Sequence, residues 1–202
     1  MKLNTLLLTS LLSTSLVLAS AANTINHSNT SATSEMTTVK QEGMKYIKML
    51  GGRLKSQLQM HIKADKTALS AMGFCSAKAE DITKEVNKKL PKYALVRRTA
   101  LKIRNENNAP DALDIKVMEE YEARIAAKTF LPTDIKVVEE GDTTRIYKPL
   151  TTQGVCLKCH GSDISKEIQK EITAKYPNDK AVAFKEGSFR GVIVSKIKSD
   201  EK

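Results

Sequence analysis

Tryptophan is absent from this chain of 202 residues, and its aromatic side chains are five tyrosines and four phenylalanines. A nucleic-acid-binding surface calls for a concentrated basic stripe with aromatics interleaved. Here the formal charge of +10, from 33 basic against 23 acidic residues, is spread along the whole chain, as in Lys84-Glu85 and Lys166-Glu167. No nucleic-acid partner is expected. The basic residues read as a solvated surface that could steer docking onto an acidic redox partner or give peripheral association with an anionic membrane. Cysteine and histidine are scarce, with three of each: Cys75, Cys156 and Cys159, and His27, His61 and His160. A structural zinc site needs a second Cys/His pair at ligand spacing, and none is present.

Long apolar runs are also missing beyond the first residues. Lys2 gives a short positive start, and Leu6 to Leu18 form an apolar stretch diluted by Thr9, Ser10, Ser13, Thr14 and Ser15. Ala19-Ser20-Ala21 then supplies the small residues of a cleavage site, so residues 1–21 are expected to be a secretory signal and the protein periplasmic. An uncleaved N-terminal anchor is the alternative. No cysteine follows the stretch, so no lipoprotein modification is expected. About 180 residues remain after cleavage, enough for one domain with a real core plus an N-terminal helical arm.

The run Cys156-Leu157-Lys158-Cys159-His160 is the attachment pattern of a c-type haem. Two thiols separated by two residues can reach the two vinyl groups of one haem, and the adjoining histidine can supply an axial nitrogen. A thioredoxin-like pair shares the CxxC spacing, but it should open a helix near the start of its domain, whereas this motif lies late in the chain. Export agrees with the haem reading. With no second such motif and no internal repeat, one covalently attached haem c is expected, held by Cys156 and Cys159 with His160 as proximal ligand.

The rest of the chain reads as alternating helices and strands. Asn, Ser and Thr dominate residues 22–36, which predicts a flexible linker. An N-terminal helical segment is expected over 37–66, with Val39, Met44, Ile47, Leu50, Leu54 and Leu58 at helical spacing and Gly51-Gly52 as a weak point. The haem domain follows over 67–198. Ala68, Met72, Cys75, Ala79, Ile82 and Val86 predict a second helix ending at Leu90-Pro91, with Cys75 on its buried stripe. The two helices pair as a hairpin or form one long bent helix. A strand is predicted over Tyr93 to Ala100, then a structured loop from Asn105 to Asp111 and a helix over Ala112 to Lys128. Ile135 to Glu139 and Thr143 to Pro149 predict a hairpin around Gly141-Asp142. A helix over Ser162 to Lys175 and a strand over Phe189 to Ile197 complete an α+β domain on an antiparallel sheet.

The second iron ligand is open on these grounds. Met44, Met49, Met60, Met72 and Met118 all fall in helices, where methionine usually fills a core. His61 reads as a surface residue and His27 lies in the linker. Cys75, the cysteine outside the motif, is either an inert buried thiol or a thiolate ligand. A thiolate would stabilise the ferric state and lower the reduction potential. It could also leave on reduction and open a site for a diatomic ligand.

Several stretches together resemble a known family. They are Arg97-Arg98-Thr99 with Lys102 to Asp111, Tyr147-Lys148-Pro149, Cys156 to Gly161, Tyr176-Pro177-Asn178-Asp179-Lys180-Ala181, and Gly187-Ser188-Phe189-Arg190-Gly191. They are similar to the exported single-haem c-type domain of unknown function with a PAS-like fold, found alone and as the extracytoplasmic domain of bacterial signalling receptors. The resemblance covers roughly Met72 to Ile197. It implies a PAS-like antiparallel sheet with an N-terminal helical segment, and a haem ligated by His160 and by Cys75 within Phe74-Cys75-Ser76-Ala77-Lys78-Ala79. It favours Arg98 and Arg104 near the haem, on its propionates or bracing the loop, with Tyr176 and Asp179 fixing the segment above it. Glu106 stands where the family has proline and is expected to loosen that loop.

The expected function is redox or diatomic-gas sensing through a labile thiolate, with an unidentified periplasmic redox or signalling partner. The alternative is a simple one-electron carrier, favoured by the lack of a recognisable output domain. An enzyme such as a peroxidase needs distal acid–base residues beside an open iron, and His61 and His27 are the remaining histidines, so none is expected.

Overall fold

In the computed structural model, residues 25–199 are described, with side chains from residue 34. The expected signal peptide, residues 1–21, lies outside them. The chain divides into two units, Met1–Glu35 and Met36–Lys202, and the architecture below is that of the second. Helix α1 runs over Ile25–Ala64, so most of the stretch read as a linker is assigned to helix. Tyr46, Ile47, Leu50 and Leu54 form its buried stripe. Gly51-Gly52 does not interrupt it.

Gly43 is where α1 closes on the sheet. A Cβ there would come within 2.5 Å of Ser195 Oγ and 2.6 Å of Ile146 Cδ1, so only glycine permits this approach. The four antiparallel strands are β1 (Ala94–Thr99), β2 (Lys136–Glu140), β3 (Thr143–Thr151) and β4 (Phe189–Lys198), in the order β1-β4-β3-β2. β2 and β3 are the expected hairpin, turning at Gly141-Asp142 with Glu140 opposite Thr143. β4 joins that hairpin to β1 and is fully flanked.

Side chains alternate across this sheet, as strand geometry requires. Val96, Ile146, Ile193 and Ile197 meet α1 on one face. Tyr147, Val192 and Val194 meet α4 (Ala112–Ala126) on the other, through Val117, Met118 and Tyr121. Full burial of a side chain such as Leu50 contributes about 1.5–3 kcal/mol. The result is the expected α+β architecture, a four-stranded antiparallel sheet with flanking helices, consistent with a PAS-like fold.

The α4 end of the sheet carries a charged network. Asp111 caps α4 by accepting from the backbone N–H of Asp114 at 3.0 Å, and Asp114 accepts from the N–H of Asp111 in return. Asp114 is fully buried, yet Arg97, Arg145 and the Tyr147 hydroxyl all donate to it. A buried carboxylate is tolerable only with such a set of donors.

The second helical pattern departs from expectation. It is two helices, α2 (Leu69–Ala77) and α3 (Ala79–Asn87), broken at Lys78, whose backbone lies at φ −123°, ψ −21°. α2 packs on two sides, with Met72 in a cluster beside Ile168 and Ile172, and Phe74 in the α1 core. Cys75 falls between those contacts and is exposed. The unbroken stripe that predicted its burial does not exist, because Lys78 resets the helix phase before Ala79.

Candidate functional site

The motif begins in a 3₁₀ turn, Gly154–Cys156, and continues in the one-turn helix α5 (Leu157–His160). Positions i, i+3 and i+4 of helical backbone share a face, so this turn sets Cys156, Cys159 and His160 side by side. His160 is held from behind, its Nδ1 lying 2.7 Å from the carbonyl oxygen of Ala181. With the proton on Nδ1 and donated there, Nε2 is the nitrogen left for a metal. Burial, with Arg190 and Arg104 adding to it, pushes His160 down to a pKa of about 3, so the ring is neutral at ordinary pH. A neutral imidazole is the ligating form.

The segment over the motif is tied down by backbone bonds. Phe184 N donates to the His160 carbonyl and Ala183 N to that of Gly161, both at 2.9 Å. Arg104 completes the lacing. Its guanidinium donates to Asp179 Oδ2 at 3.0 and 3.1 Å, to the Cys159 carbonyl at 2.6 Å and to the Ala181 carbonyl at 3.2 Å. These bonds make Arg104 a brace between the motif and the segment above it. Asp179 holds the segment through Arg104 and the Ala181 N–H. Glu106 does not loosen its loop, since its carboxylate accepts from Asn178 Nδ2 at 2.8 Å and ties the two loops together.

Cys75 lies on α2, whose Met72 packs in the cluster that Cys159 joins. The charge of Cys75 raises the pKa of Cys159, and Arg98, Arg104 and Arg190 all act on Cys75. Its surface is open, yet the atoms crowded around the sulphur make burial the leading influence and push the thiol pKa up, against the pull of the three arginines.

Arg98 and Arg190 are unlike Arg104. Arg98 Nε is buried without a hydrogen-bond partner, and burial lowers the pKa of its guanidinium. Arg190 is pushed down to about 10 by burial and by the charges of Arg104 and Arg98, and donates one long bond, at 3.4 Å, to the Lys102 carbonyl. Its guanidinium carbon lies 5.2 Å from the centre of the Phe184 ring, which stands edge-on to His160 at 6.2 Å. Two crowded guanidiniums without carboxylate partners suit a ligand that brings two carboxylates. These residues therefore fit a haem: two thiols and an imidazole on one helix face, and cations for both propionates.

A model of the Tll0287-like family matches residues 13–198. The chain belongs to the Tll0287-like family. Among solved structures it is similar to the crystal structure of the cyanobacterial heme-protein Tll0287, at 26% identity and a TM-score of 0.55, over 72% of this chain and 91% of that one. No curated protein matches.

The neighbours that sequence reasoning missed are Arg190 and Phe184. Arg190 stood in a stretch that carried the resemblance, but it was read as part of the pattern and given no role. The surroundings of His61 are likewise set by the fold: its ring stacks on Phe74 at 5.0 Å and its Nδ1 lies 2.8 Å from Ser70 Oγ. His61 is therefore half-buried in a groove away from the three cysteines. The side chain of His27 lies outside the described ones. Among the described residues, no group of three or more His, Cys, Asp or Glu could hold a metal ion, and no helix is long and apolar enough to cross a membrane.

Proposed function

We propose that this protein is a periplasmic c-type cytochrome carrying one haem, ligated by His160 and Cys75, that senses redox state or a diatomic gas. The observation that carries the reading is the third thiol: Cys75 is exposed on α2, whose Met72 packs in the cluster that Cys159 joins, and Arg98, Arg104 and Arg190 all act on it. Haem-protein character in a solved family relative, Tll0287, supports it.

Cys156 and Cys159 would hold the group through thioethers to its vinyls, each S–H adding across one double bond. His160 presents Nε2 while Ala181 holds Nδ1. Arg98 and Arg190 would neutralise the propionates, and the Arg104–Asp179 brace keeps the motif in place. When bound, haem would supply a one-electron iron couple, and Cys75 would be the residue whose thiolate could bind the iron or leave it. Cys75 sits on a helix of nine residues, with left-handed Ala68 (φ 68°) before it and the Lys78 break after it. Such a short element, irregular at both ends, suits a ligand that comes and goes.

The deciding experiment is the absorption spectrum of the dithionite-reduced protein before and after carbon monoxide. A shift of the Soret band means the distal position opens on reduction, as a sensor requires. An unchanged band would make the protein a one-electron carrier. In Cys75→Ala the ferric spectrum should lose low-spin thiolate character; an unaltered spectrum would falsify the ligand assignment.

A further inference from the structure

A second cavity, of about 490 Å³, lies between α1 and α3 and shares no lining residue with the cysteine site. Its size falls within the range of small-molecule sites, roughly 300–1,000 Å³. We propose that it binds a small carboxylate with an apolar, ring-sized body. This goes beyond the haem reading and does not depend on it.

The floor of the cavity is apolar and oriented. Phe74 and Ile82 line it, and the His61 ring lies nearly parallel to Phe74, at 20°. The bond from His61 Nδ1 to Ser70 Oγ holds the imidazole in that plane. A flat apolar body can stack on such a surface.

Its wall carries the head-group partner. Arg53 is paired with Glu85 at 2.8 Å, with side-chain exposures of 43% and 55%. An exposed pair of that kind is worth only about 0–1 kcal/mol. A ligand carboxylate, bidentate on the guanidinium and partly shielded by the groove, can take the place of Glu85. Lys78 adds a second cation, held only loosely by Asp81 at 3.9 Å, and Gln57 adds an amide donor.

Gly52 is the independent observation. A glycine inside a helix costs about 1 kcal/mol relative to alanine. At Gly43 packing explains it, but a Cβ at Gly52 would meet nothing within 4 Å. Gly52 lines the cavity, so a side chain there would stand in the space the ligand needs. The occupant would rest on Phe74, next in the chain to Cys75.

Phenylacetate is the probe, titrated into the full chain as purified and followed by saturation-transfer NMR, with benzylamine and acetate as controls. Saturable phenylacetate binding with a Kd of about 1–10 mM is expected for so small a ligand, and at least tenfold weaker binding of both controls. Gly52→Leu should weaken it at least tenfold by filling the groove. Gln57→Glu, which adds no bulk, should weaken it at least fivefold through charge, so a folding defect in the first variant cannot mimic the result. Benzylamine binding as well as phenylacetate, or both variants binding like the parent, would overturn the proposal.

Discussion

At the scale of single residues, three arginines in one hollow do two different jobs. Arg104 is fully engaged, with Asp179 and two carbonyls as partners. Removing one member of a buried pair leaves the other charge uncompensated, so Arg104→Leu should lower stability by about 3–5 kcal/mol, measured by urea unfolding with or without haem. Arg98 and Arg190 should behave in the opposite way before haem is attached. Each is a crowded guanidinium short of partners, so Arg190→Leu is expected to raise the stability of the haem-free protein by about 1 kcal/mol. In the haem-loaded protein the same substitution should lower stability by a similar amount, because a propionate then loses its partner. Thermal unfolding of both forms reads that change of sign directly. A loss of equal size in both forms would show that Arg190 is merely structural.

At the scale of elements, the α4 cap gives the fold a dependence on acid. Burial tends to raise the pKa of Asp111, but the Asp114 N–H and the Arg145 guanidinium overcome it and hold the carboxyl at about 2. The folded value lies below the unfolded one, near 3.9. The stabilisation is therefore complete above about pH 4 and is lost as pH falls towards 2. Because the Asp111 side chain is 41% exposed, solvent screening leaves about 1 kcal/mol of it. Asp111→Asn should flatten the unfolding free energy between pH 4 and 2 by that amount. Elsewhere, Gly43→Ala should destabilise by about 1–3 kcal/mol through overpacking against Ile146 and Ser195, seen as a lower urea midpoint with an unchanged slope.

The same scale shows what the chain made legible. The β2–β3 hairpin was readable because its partners are neighbours and Gly141-Asp142 marks the turn. α4 was readable as the helix that resumes after the turn-forming stretch Asn105 to Asp111. The α2–α3 break was not, since the apolar spacing runs through Lys78 without a fault and only the backbone there departs. The motif thiols and His160 announce themselves by spacing. Arg190 and Phe184 join them through pairings across the fold, which local pattern does not encode. Arg98 and Arg104 looked alike in sequence, and only the presence of Asp179 beside one of them separates their roles.

At the scale of the whole molecule, the candidate site draws on pieces far apart in sequence: Cys75 on α2, Arg98 at the end of β1, the motif in the 3₁₀ turn and α5, and Arg190 on β4. Haem bound there should tie these pieces into one cooperative unit. The haem-loaded protein is expected to melt well above the haem-free one, with α2 amides more protected in hydrogen exchange. Comparable protection in the two forms would argue that α2 does not contribute a ligand.

The order of the sheet also sets a schedule. β4 holds β1 and β3 together, yet it is the last strand in the chain, and Ala94 must wait for Ile197. Until that strand arrives, Thr99 and Tyr147 belong to separate fragments, so closure of the domain is late and rests on distant contacts. A chain emerging from its N-terminus therefore passes through an interval in which Cys75, Cys156 and Cys159 are all out but nothing yet encloses them. Whatever machinery joins a group to the two motif thiols would work in that interval, on an open ribbon rather than on a finished domain.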